Sequence, residues 1–192
     1  MNRILLIIAL FLGTFFTSCV TREKQLDKVT SLSVEVDSIL RTSPVLTVRQ
    51  RESAGELIEA YNKYTEKFPE DSLSPKFMMK SALLYHALGN YLQELKTLEL
   101  IVEKYPDTDY APQALATGAR VSEENINDLH RSRYYLKKIQ EEYPESPYAI
   151  NIDLQIEYVG DADGLLNAIM ARRGINLDSL LAEPDSVDTV KK

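Results

Sequence analysis

Residues 104–111 read KYPDTDYA and residues 142–149 read EYPESPYA, with a weaker third copy, KFPEDSLS, at 67–74. Proline to proline, the copies stand 37 residues apart (Pro69 to Pro106) and then 38 (Pro106 to Pro144). Self-similarity at a fixed period of this size marks an array of helical repeats. In each copy a proline follows an aromatic residue and ends one helix. Two positions on stand Asp71, Thr108 or Ser146, each able to accept a hydrogen bond from an unpaired amide at the start of the next helix. Pro147 suits a first helical position, and Pro75 and Pro112 fall in opening turns, where proline is tolerated. The phrase is punctuation between helical hairpins.

Working outward from the punctuation, apolar residues recur at steps of three and four. From about Val48 to Lys67 the set is Ala54, Leu57, Ile58, Tyr61, Tyr64 and Phe68, ending at Pro69. In the first full repeat, helix A runs from about Pro75 to Leu88 with Met78, Ala82 and Tyr85 on one face. Gly89-Asn90 makes the turn, and helix B runs from about Tyr91 to Lys104 with Leu95, Leu98, Ile101 and Val102 buried. The second repeat has helix A from about Pro112 to Asn125, a turn at Asn127-Asp128, and helix B to Glu142. There Ser132, Leu136 and Ile139 sit where close helix contact is needed. A third unit opens with a helix from about Pro147 to Tyr158, followed by Gly160-Asp161 and a helix from Gly164 to Arg173. Arg172-Arg173 is read as positive charge at a helix C-terminus, with contact to an anionic lipid or to a carboxylate of a binding partner as the rival reading.

The N-terminal region points to export. MNRILLIIALFLGTFFTSC carries one basic residue, Arg3, then an uncharged apolar run from Ile4 to Phe16, then Thr17-Ser18-Cys19. A permanent membrane-spanning helix needs about 20 residues, so this shorter run suits the core of a secretory signal peptide. Small residues before a cysteine resemble the lipobox of bacterial lipoproteins, which implies that Cys19 is lipidated and becomes the first mature residue; Phe16 stands where that pattern usually has leucine. A plain signal peptide with an incidental cysteine is the alternative. Cys19 is the only cysteine and cannot form an internal disulfide. VTREKQ after it is read as a polar tether, and Gln25 to Leu40 as an entry helix (Leu26, Val29, Val36, Ile39, Leu40) that breaks at Thr42-Ser43-Pro44. The expected organisation is a signal peptide at 1–18, anchor, tether and entry helix at 19–47, a repeat domain at 48–174, and a disordered tail at 175–192.

GNYLQELKTLELIVEKYP resembles the second helix of a tetratricopeptide repeat: a G-[DN]-Y opening, a small residue three on, and a closing proline. Leu98, Ile101 and Pro106 match that pattern, as do Ser132, Leu136, Ile139 and Pro144; Glu94 replaces the preferred alanine and Arg120 a preferred small residue. The resemblance covers roughly Arg51 to Arg173. It implies an all-α fold, a right-handed α-solenoid of tetratricopeptide-like hairpins with about two and a half repeats plus the entry helix. With the lipobox, the chain resembles two groups of bacterial envelope proteins: the lipoprotein of outer-membrane β-barrel assembly (BamD-like), which has five repeats, and the periplasmic Tol-Pal coordinator (CpoB-like).

Signals for chemistry are missing from the sequence. The net charge of −7, or −8 without Arg3, argues against nucleic acid, which needs a basic field. His86 and His130 are the only histidines and sit in different repeats, whereas a zinc site needs three or four convergent ligands. His86 is read as a surface histidine that could face a groove. Glu123-Glu124 and Glu141-Glu142 are adjacent rather than helically paired and read as solvated faces. No phosphate loop, nucleophile elbow or H-E-x-x-H motif occurs. The expectation is a binding module rather than an enzyme, with no cofactor, metal or small-molecule substrate.

The reading is therefore a lipid-anchored scaffold facing the periplasm at the outer membrane, binding protein or peptide segments during envelope assembly. The rival class is an oligomerising spacer or Tol-Pal-type coordinator, which would use a sustained heptad that Gln25 to Leu40 is too short to supply. By the resemblance, the contact face is the side of helix A away from helix B. Those positions are Lys76, Met79, Leu83 and His86 in the first repeat, and Ala114, Thr117, Val121 and Glu124 in the second. Packing of Leu83 and Val121 against a neighbouring repeat is the alternative.

Overall fold

A computed structural model describes residues 21–38 and 46–175. The leader, Cys19, Ile39, Leu40, the break at 42–44 and the tail beyond Ile175 lie outside the described residues. All regular structure among the described residues is helical, in the hairpin arrangement of an α-solenoid. The helices are α1 (21–38), α2 (Val48–Lys67), α3 (Ser74–Ala87), α4 (Tyr91–Lys104), α5 (Tyr110–Glu124), α6 (Leu129–Glu142), α7 (Ile152–Glu157) and α8 (Ala162–Arg172). The chain forms two compact units that divide within α5, between Gly118 and Ala119.

In the first unit, α1 reaches back through most of the stretch read as a tether. Val29 and Val36, seven residues apart and thus on one face, are 2% and 1% exposed. Leu26 and Leu32 pack against the same core. Arg22, in the first turn, pairs with Asp71 beyond the end of α2, so polar residues here serve the fold. Thr47 opens α2 with a reciprocal capping box: its hydroxyl accepts from Gln50 N at 3.4 Å, and Gln50 Oε1 accepts from Thr47 N at 2.8 Å. Of the expected apolar set, Ala54, Leu57, Ile58, Tyr61 and Tyr64 are buried in α2 and Phe68, just past its end, is half-buried; the helix meets α3 through rings. Phe77 stacks on Tyr61 at 5.1 Å and meets Tyr64 edge-on at 4.9 Å. Burial, with a smaller contribution from Asp37, pushes the Tyr61 hydroxyl up to about 12. Leu95, Leu98, Ile101 and Val102 of α4 are buried as their spacing requires.

The punctuation differs in detail from the expectation. Side-chain caps stand mainly at the turns inside hairpins: Asn90 accepts from Gln93 N at 3.4 Å, Asp128 from Arg131 N at 3.0 Å, and Asp161 from Gly164 N at 2.8 Å. At the repeat junctions, Ser146 accepts from Tyr148 N and caps a short 3₁₀ turn, and Asp71 accepts from Leu73 N at 2.9 Å just before α3. Thr108 turns the other way. Its hydroxyl donates to the Tyr105 carbonyl at 2.8 Å, at the end of α4, beside the backbone bond from Thr108 N to the same oxygen at 3.2 Å. The tyrosine of the phrase also acts in packing, since the Tyr105 hydroxyl donates to the Pro69 carbonyl of the preceding copy at 2.9 Å.

The second unit holds the rest of α5 with α6, α7 and α8. Its buried residues include Val121, Tyr135, Leu136, Ile139, Ile152, Leu154 and Val159. Ser132 is fully buried, as close helix contact demands. The single helix expected from Pro147 to Tyr158 is instead broken. A 3₁₀ turn covers Pro147–Ala149, Ile150 is extended, and Asn151 adopts φ 55° before α7 begins. Asparagine is one of the few residues that occupy this left-handed region readily. Arg172 spends its charge on a carboxylate: it grips Asp153 with two hydrogen bonds, 2.9 and 2.5 Å, and holds that carboxyl down at about 2.

Candidate protein-binding site

Helix α3 presents a narrow outer stripe to solvent. Lys76 is exposed and Leu83 is 53% exposed, a large apolar side chain left open between polar neighbours. His86 is half-buried, and its position is fixed from below. Its Nδ1 lies 2.8 Å from Oε2 of Glu94, whose side chain is fully buried. A carboxylate beside Nδ1 favours a proton on that nitrogen and fixes the orientation of the ring. The Tyr91 ring meets the imidazole edge-on at 5.4 Å. The departure from the repeat pattern at Glu94 thus has a structural use, joining the two helices of the hairpin across their interface. In the second unit the corresponding tie is reversed in chemistry: Ser132 donates to Glu123 Oε2 at 3.2 Å, and Glu123 Oε1 accepts from Gly160 N at 2.9 Å.

The remaining sequence-chosen positions are less accessible. Met79 is 5% exposed, Ala114 1% and Val121 fully buried, so these three belong to packing and leave the open face. The 3.6-residue period places Leu83 and Val121 in the same register, but it cannot tell which of two equivalent positions a neighbour covers. Thr117 is half-buried and its hydroxyl donates to the Gln113 carbonyl at 2.9 Å. Glu124 is exposed and pairs with Arg120 at 3.3 Å, one turn earlier.

A concavity that the sequence did not indicate lies in the first unit, between α2 and α4 above α3. It measures about 290 Å³ and is lined by Asn62 and Thr65 of α2, Met78 and Tyr85 of α3, and Lys96 and Leu100 of α4. Met78 and Tyr85 form its floor, although helical spacing read them only as packing residues. Asn62 and Thr65, polar and one turn apart beside the buried Tyr61 and Tyr64, were the available signal. Glu66 and Lys104 add opposite charges to the lining, so the groove suits a mixed polar and apolar segment rather than a strongly charged one.

Among the described residues, no group of three or more His, Cys, Asp or Glu side chains could hold a metal ion. Among them too, no helix is long and apolar enough to cross a membrane.

Residues 77–108, which take in most of α3, all of α4 and the junction after it, match the family model of the tetratricopeptide repeat. The chain therefore carries a repeat of the class that serves as a protein–protein interaction scaffold, in a fold typically without catalytic activity. Comparison with curated proteins and with solved structures returns no match.

Proposed function

We propose that this protein is a lipid-anchored scaffold of the bacterial cell envelope that holds a protein partner against its first repeat. Its place is the periplasmic side of the outer membrane, anchored through Cys19. The observation that carries the reading is the stripe on α3, inside the matched repeat, where Leu83 stands 53% exposed beside an imidazole held by a buried carboxylate. By the resemblance to tetratricopeptide repeats this face of helix A lines the contact groove, and an open leucine among polar groups suits an apolar anchor inside a polar rim. The leader that ends in Thr17-Ser18-Cys19 supports the anchor. Acyl chains on Cys19 supply the two or more membrane signals that stable anchoring requires.

The test is partner capture from solubilised membranes with the wild type and with Leu83→Glu. The substitution is exposed and should leave the fold intact, with a stability change within about 0.5 kcal/mol. A partner enriched by the wild type and lost from Leu83→Glu supports this face. Equal capture by both, at unchanged helicity, refutes it. The groove between α2 and α4 favours a second reading, in which a segment docks there instead. Lys96→Glu, at an exposed position of the groove, would then be the variant that loses the partner. The Tol-Pal-type alternative predicts self-association, read by light scattering of the purified protein.

A further inference from the structure

Helix α6, LHRSRYYLKKIQEE, carries basic charge against the balance of the chain. Arg131, Arg133, Lys137 and Lys138 stand against Glu141 and Glu142, a local balance of +2 in a chain whose net charge is −7. Every charged residue of the helix before Glu141 is basic. In the first unit α4 is mixed instead, with Glu94, Glu99 and Glu103 against Lys96 and Lys104.

The fold turns these cations outward. Ser132, Tyr135, Leu136 and Ile139 fill the inner side of α6. At 3.6 residues per turn, the opposite side falls to His130, Tyr134 and Lys137, all exposed, with Arg131 and Lys138 on one flank and Arg133 on the other. Tyr134 is 59% exposed, and its ring rests on the buried ring of Tyr135 with centroids 5.6 Å apart. Arg133 donates to the Val159 carbonyl at 3.3 Å, which positions the guanidinium without neutralising it. Arg131 and Lys138 each meet a carboxylate at 3.5 Å, Asp128 and Glu142 respectively. Such exposed pairs contribute little and exchange readily for another anion.

We propose that this face of α6 lies on the anionic phospholipid headgroups of a membrane. The make-up of the face decides between lipid and an acidic protein. Protein interfaces bury an apolar centre from which lysine is depleted. Here Lys137 stands at the centre, and no exposed residue of α6 is aliphatic. Lysine and arginine draw a protein to an anionic bilayer without needing fixed partners, and tyrosine is enriched at headgroup level because its ring is apolar and its tip polar. The proposal rests on the membrane location argued above, since an anchored chain meets headgroups at high effective concentration.

Vesicle binding tests the face. The full chain carrying Cys19→Ser is used, so acyl chains play no part and the leader contributes equally to every variant. It should bind vesicles of equal parts phosphatidylcholine and phosphatidylglycerol more tightly than phosphatidylcholine alone. Salt at about 1 M, where the screening length is about 3 Å, should remove that difference. Lys137→Glu reverses one exposed charge and should weaken binding to the anionic vesicles at least about tenfold, with helicity and binding to neutral vesicles unchanged. Lys137→Arg should bind as the parent does. Absence of any preference for the anionic vesicles overturns the proposal, as does equal binding by Lys137→Glu. Equal vesicle binding together with loss of an acidic protein from Lys137→Glu in capture from solubilised membranes assigns the face to that protein and overturns it as well. Failure of the anchor is read separately, from the membrane fraction of Cys19→Ala, and leaves the vesicle result standing.

Discussion

Phe77→Ala removes the ring on which the first unit depends. Phe77 is 7% exposed and is the residue of α3 that meets both tyrosines of α2, stacked on Tyr61 at 5.1 Å and edge-on to Tyr64 at 4.9 Å. Truncating a buried phenylalanine costs about 3–5 kcal/mol in lost transfer energy and cavity formation. Aromatic pairs contribute roughly 0.5–1.5 kcal/mol each beyond area burial, and two are lost here, which favours the upper end of that range. With a urea slope of about 2 kcal/mol per molar, the unfolding midpoint should fall by roughly 2 M. Phe77→Leu separates the two contributions, because it keeps most of the apolar volume and loses only the ring geometry. It should cost roughly 1–2 kcal/mol. The assay is urea denaturation followed by circular dichroism of the purified domain. An alanine variant within about 0.5 M of wild type would show that α3 does not couple to α2 through this ring, and the account of the core would fail.

Asp128→Ala should destabilise by about 0.5–2 kcal/mol in the same assay, because it deletes the acceptor for Arg131 N; Thr108→Ala should cost less, since that hydroxyl donates to a carbonyl that already has a backbone partner. The reverse order would refute the assignment of the caps. Asp153 should titrate at about 2 by carbon-detected magnetic resonance and return toward the ordinary carboxylate range in Arg172→Ala, with no upward move if the ion pair is absent in solution. Asp71 is likewise held below its ordinary value, chiefly by the Arg22 guanidinium. Its contribution to stability is complete above the unfolded-state value and disappears as pH falls through the folded one. Asp71→Asn should therefore flatten the loss of stability on acidification below about pH 4, and an acid profile identical to wild type would contradict this. Cys19→Ala should leave the membrane fraction after a salt wash; persistence there would remove the lipid anchor from the proposed function.

Period and punctuation were enough to locate most of the helices and the hairpins they form, although not the break after Ala149 or the early start of α1. A repeated proline phrase at a constant period, with apolar residues at three- and four-residue steps between copies, leaves few alternatives to helical hairpins. Helices α4 and α6 end where the phrase says, and Leu95, Leu98, Ile101, Leu136 and Ile139 are buried as read. These are local properties, since a helix face and a helix stop are written in adjacent turns of one segment. Tertiary structure decided what adjacency cannot express. Leu83 and Val121 share a register, yet one is open and the other closed, because exposure depends on what lies across the face rather than on the period. Thr108 can accept or donate, and the nearby carbonyl of Tyr105 chose donation. The Arg22–Asp71 pair joins residues 49 positions apart and turned an apparent tether into a helix of the core. Glu94 looked like a lapse in the repeat pattern until His86 appeared above it at 2.8 Å, two turns' worth of side chains brought together only by the hairpin.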